Sequence, residues 1–108
     1  MIYSAILDNY SVIADYSEEQ GDFQVTLIKL LKANKQSIEF YVVPYSQYEI
    51  YFLHYDSFTF SCIAPENIDH EKILVFLQTI KEEFLSMYKN EKDSLVLKTT
   101  NIIRENMV

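Results

Sequence analysis

Asp56-Ser57-Phe58-Thr59-Phe60-Ser61-Cys62-Ile63 is the stretch on which the fold turns. From Phe58 to Ile63 apolar and small residues alternate, the period of a strand with two unequal faces. Ala64-Pro65-Glu66-Asn67 breaks the run. From about Asp69 to Lys89 the pattern becomes helical, with Ile73, Phe76, Leu77, Ile80, Phe84, Met87 and Tyr88 on one arc. Lys72, Gln78, Lys81 and Glu82 are left toward water. A strand closed over by one long amphipathic helix describes a sheet with a helix on its face. No nucleophile, metal cluster or phosphate loop lies along this path, so what it offers is shape for binding.

Upstream, Ile2 to Leu7 and Ser11 to Tyr16 are short apolar-rich runs joined through Asp8-Asn9-Tyr10. Asp and Asn tolerate left-handed backbone, so this is a hairpin. After Ser17-Glu18-Glu19-Gln20-Gly21, Asp22 stands at an N-cap position and a helix runs from Phe23 to Ala33. Phe23, Leu27, Leu30 and Leu31 share its core arc; Val25 and Ile28 fall outside, as the edge of a wide stripe or as a second apolar surface. Three strands follow at Ile38 to Val43, Tyr48 to His54 and Phe58 to Ile63, separated by Pro44-Tyr45-Ser46 and Tyr55-Asp56-Ser57. These strands scarcely alternate apolar with polar residues, which requires cover on both faces. Beyond the long helix, Asp93 can cap a weaker one through Leu95, Ile102, Ile103 and Met107. The order is β-β-α-β-β-β-α-α.

With 108 residues, 49% of them hydrophobic, the chain is one domain able to bury about two-thirds of its unfolded surface. Sixteen acidic against nine basic side chains give a net charge of −7. That balance disfavours nucleic acid and anionic membrane surfaces as partners. The one cysteine excludes an internal disulfide and suits a reducing compartment. No signal peptide and no apolar run of membrane-spanning length is present, so the 108 residues are expected to be soluble and cytosol-facing.

Catalytic readings are weak. Cys62 lies inside a strand, with nothing nearby in sequence to lower its pKa, and reads as a small core hydrophobe. His54 and His70 lack a second ligand at metal spacing. Asp15, Glu18, Glu19 and Asp22 have neither the ligand spacing nor the glycine of a calcium loop. Nine tyrosines can form a recognition surface, though lining and ringing a sheet explains them more simply. The expectation is no enzyme, no cofactor and no metal.

Taken together, these segments resemble the longin domain, the N-terminal regulatory module of longin-type R-SNAREs, most closely the vesicle-associated membrane protein (synaptobrevin-like) branch. The hairpin Met1 to Tyr16 with Gly21-Asp22-Phe23 looks like the opening of that domain. Asp56 to Ile63 is similar to its fifth-strand signature, and Phe76-Leu77-Gln78-Thr79-Ile80-Lys81-Glu82-Glu83-Phe84 with Tyr88 looks like its long second helix. The resemblance implies an α+β, profilin-like fold over residues 1–108. Its five-stranded antiparallel sheet has the first helix on one face and two helices on the other.

The resemblance further implies an apolar docking groove between the first helix and the third strand, here Val25, Ile28, Ile38, Phe40 and Val42. The occupant would be the protein's own or a partner's SNARE motif, or a sorting adaptor, and the outcome control of vesicle fusion and sorting. The expected place is the cytoplasmic face of endomembranes and transport vesicles, with the full-length protein membrane-anchored. These 108 residues contain neither a heptad-repeat SNARE motif nor an anchor, so an excised domain is expected. The alternative is a stand-alone longin-fold subunit of a tethering complex or clathrin adaptor.

Overall fold

The computed structural model describes residues 1–90 and 95–107, without the side chains of 89–90 and 95–99. Its elements are β1 (Tyr3–Asp8), β2 (Ser11–Ser17), α1 (Phe23–Asn34), β3 (Phe40–Tyr45), β4 (Tyr48–Tyr55), β5 (Phe58–Pro65), α2 (His70–Asn90) and α3 (Leu95–Asn106). The succession is the expected one. The five strands form one sheet in the order β2-β1-β5-β4-β3, antiparallel at every pairing.

Three hairpins close through two-residue loops, Asn9-Tyr10, Ser46-Gln47 and Asp56-Ser57. The first loop residue in each has a positive φ of 55–56°. Asn and Asp accept that conformation readily; Ser46 is the less favourable choice. Register is thereby fixed at three corners of the sheet.

The alternation in β5 sorts the core into two layers. Phe60 and Cys62 belong with Ile6, Leu53 and the buried side chains of α2 and α3. Ile63 belongs with Ala5, Ile50, Phe52 and the buried side chains of α1. On the α1 face Ala5 and Ser61 are register partners, both fully buried, and their small side chains leave room for a helix to settle closely. Leu27 and Leu31 fill that space. On the opposite face Leu77, Ile80 and Phe84 have no exposed surface, each burial supplying about 1.5–3 kcal/mol. Phe84 meets Phe58 and Phe60 edge-on at 5.0 and 5.7 Å.

Several expectations need correction. Helix α1 begins at Phe23, but Asp22 makes no side-chain capping bond; its carbonyl accepts the Thr26 N–H at 3.2 Å. Gly21 precedes it with φ +156°, where a Cβ would press to 3.0 Å from the Phe23 ring, and that ring stacks on Tyr3. Strand β3 is shifted by two residues: Ile38 and Glu39 precede it, while Pro44 and Tyr45 lie within it. Lys81 does not simply point to water; it approaches Glu39 at 3.8 Å and lies over the Tyr55 ring. Asp93 and the Leu95 side chain fall outside the described residues.

Candidate functional site

Strand β3 is an outer strand of the sheet, so one side of its backbone lacks a strand neighbour. The His54 N–H donates to the Glu39 carbonyl at 2.8 Å, which fixes the phase of the β3–β4 ladder. Because hydrogen-bonded and open positions alternate, Tyr41, Val43 and Tyr45 bond to β4. Phe40, Val42 and Pro44 therefore turn their backbone groups to the open side. Pro44, which has no N–H, occupies one of these open positions and removes no ladder bond. The edge keeps the N–H and C=O of Phe40 and Val42 for another chain, while proline limits how far pairing can run.

The side chains of β3 alternate between the two cores. Tyr41 and Val43 pack on the α1 side and are buried. Phe40 and Val42 pack, half-buried, on the α2 side, where Phe40 stacks on Tyr51 with ring centres 6.3 Å apart. The five groove residues inferred from sequence are thus not one surface. Val25 stands on the outer side of α1, 65% exposed, and Ile28 is the half-buried edge of the α1 core stripe. Ile38, 52% exposed, lies just before β3. Phe40 and Val42 share a face, but it is the face opposite α1. The α1-facing residues of β3 are Tyr41 and Val43, which the sequence reading passed over. Both phases of this strand are apolar, so its pattern could show that both rows are covered but not which one meets α1.

Ile38 lines a polar cavity of about 500 Å³ at the entrance to β3, together with Lys35, Gln36, His54, Tyr55 and Lys81. His54 contacts Thr59 through Nδ1 at 2.9 Å and the Tyr41 hydroxyl through Nε2 at 2.8 Å. Burial, then the nearby Lys35 cation, holds the imidazole pKa below its ordinary 6.5. This network joins β3, β4 and β5 side by side at the start of the exposed edge.

Elsewhere the titratable groups have structural work. Cys62 is fully buried and its thiol pKa is pushed far up by that burial, so it holds no reactive thiolate at neutral pH. Asp15 accepts the Tyr3 hydroxyl at 2.7 Å. Among the described residues no three His, Cys, Asp or Glu side chains are grouped to hold a metal ion.

Residues 13–104 match the model of a family described as Longin: Regulated-SNARE-like domain. The chain belongs to the longin family. Vesicle-associated membrane protein 7B of Dictyostelium discoideum is 28% identical to it over 91 residues, 82% of this chain and 34% of that protein. The chain therefore spans about a third of the length of this curated relative. The longin family agrees with the α+β sheet and three helices described above. Among the described residues no helix of this longin domain is long and apolar enough to cross a membrane.

Proposed function

We propose that this longin domain is a regulatory module of a SNARE that serves vesicle trafficking, acting at the cytoplasmic face of transport vesicles and other endomembranes. In this reading it docks a segment of its own SNARE motif, or a sorting adaptor, along the open edge of β3 beside α1. The observation that carries it is the open strand edge at Phe40 and Val42, with Ile38 exposed at its start and Val25 exposed on α1. An extended segment would pair with the edge backbone, and an apolar flank would cover Ile38 or Val25.

Docking of this kind regulates by population. A segment held by the longin domain is withheld from SNARE partners, and a preference of about 1.4 kcal/mol lowers the free fraction roughly tenfold when the docked state dominates. Membrane attachment, in this proposal, belongs to other parts of the full-length protein. The kinship with a vesicle-associated membrane protein favours this reading over a stand-alone tethering or adaptor subunit.

The test is amide hydrogen exchange on the full-length protein. Phe40 and Val42 amides should be protected there and exposed in the 108-residue chain. Val25→Asp with Ile38→Ser should remove the protection and weaken docking by roughly thirtyfold, about 2 kcal/mol. Equal exchange at these amides in both proteins would refute edge docking.

A further inference from the structure

The geometry points to a second docking surface, on the opposite side of the sheet, for a basic amphipathic helix of a partner protein. It is the trough along the seam where α3 folds back on α2. One end is a cavity of about 460 Å³ with Val75, Phe76, Thr79 and Asn106 in its lining. Further along α2 a second cavity, of about 390 Å³, lies between Glu83, Ser86 and Met87 on α2 and Ile102 on α3. The Asn106 amide donates to Glu83 at 3.2 Å and marks the crossing point between them. Val75 and Glu82 are about two helical turns apart, and His70 to Ser86 spans about 24 Å of helix. That length suits about four to five turns of a docked helix with one apolar stripe.

Two features select the occupant. The floor is apolar: Val75 is 61% exposed on a helix whose other face is fully used in the core, and Phe76 and Ile102 lie beneath it. The rim is acidic: among the described residues Asp69, Glu71, Glu82 and Glu83 line the two cavities with one cation, Lys72. Arg104 of α3 is already held by Asn101 at 2.9 Å. An apolar floor with acidic walls complements Lys or Arg flanking a Leu-type stripe.

The probe is a synthetic 18-residue helix of Leu and Lys, compared with its Glu-for-Lys counterpart on the 108-residue chain. The basic peptide should bind, with amide NMR shifts centred on Val75, Thr79 and Ser86. Val75→Asp and the double change Glu82→Lys with Glu83→Lys should each weaken it roughly tenfold or more. Glu18→Lys with Glu19→Lys makes the same change in net charge on an exposed loop and should alter affinity less than twofold. The two glutamates at 82 and 83 are exposed, so that variant carries the test if Val75→Asp does not fold. Equal binding of the acidic peptide, or equal loss in both Glu→Lys pairs, would reduce the trough to general attraction by an acidic protein and overturn the proposal. Protection of these amides by the full-length protein's own chain would also overturn it.

Discussion

The two faces of the sheet are covered unequally. On one side α2 and α3 together bury Ile73, Phe76, Leu77, Ile80, Phe84, Ile102 and Ile103. On the other, α1 fully buries only Leu27 and Leu31, with Phe23, Ile28 and Leu30 half-covered around them. The heavily covered face also holds the aromatic cluster, in which Phe58, Phe60 and Tyr88 surround Phe84 at 5.0–5.8 Å. The sheet that both faces share ends at the open strand edge of β3. A sheet held firmly on one face can leave that border for a partner, because the partner's site is then not needed for folding.

Truncating each face should reveal this inequality. Phe84→Ala opens a cavity bounded by rings from two elements and should cost about 3–5 kcal/mol, much of the stability of a domain this size. Leu27→Ala removes the centre of the α1 contact. It should cost less, about 2–3 kcal/mol, since one helix lying on Ala5 and Ser61 can settle into part of the space. Urea unfolding of both variants gives the comparison directly. A larger loss for Leu27→Ala would reverse the assignment of which face carries stability.

What the sequence made legible follows from which patterns are one-sided. The α2 arc was readable residue by residue because its apolar stripe has a polar back: Phe76 and Ile80 are buried as the 3.6-residue period requires. Strand order in the chain and the hairpin corners were equally readable from Asn9 and Asp56. The strand faces were not. Tyr41 and Val43 are as apolar as Phe40 and Val42, so nothing in β3 says which row meets α1. Assigning Phe40 and Val42 to that side was therefore a choice the pattern could not make, and the structure reverses it. Pro44 misled for a related reason: it reads as a breaker, yet at an open position of an edge strand it breaks nothing.

A subtler difference between the faces is their response to pH. His54, beside the α1 end, has a pKa below the 6.5 of an unfolded histidine, first through burial and then through Lys35. Below 6.5 the unfolded chain takes up this proton more readily than the folded one. The His54 contribution is thus fully present above about pH 6.5 and is lost as pH falls through the folded pKa. Unfolding midpoints at pH 7.5 and 5.5 should differ more in the parent than in His54→Gln. An identical pH slope in the variant would remove His54 from the account.

The smallest expected effect on stability sharpens the comparison most. Val25 and Ile38 are more than half exposed, whereas Phe40 stacks on Tyr51 and faces the α2 core. Val25→Ser and Ile38→Ser should each change unfolding free energy by no more than about 0.5 kcal/mol, the ordinary range for surface positions. Phe40→Ser, one strand residue away from the same edge, should cost about 1 kcal/mol or more through the lost ring contact and apolar burial. The contrast matters because the three residues were first placed on one surface. If they were, truncating any of them would act mainly on binding. In the observed arrangement Val25 and Ile38 are free to serve a docked segment without a penalty to the fold, while Phe40 contributes its backbone to the edge and its ring to the opposite core. Denaturation of the three single variants separates these roles. A loss above 1 kcal/mol for Ile38→Ser would make it part of the core and leave the edge without an apolar anchor at its start.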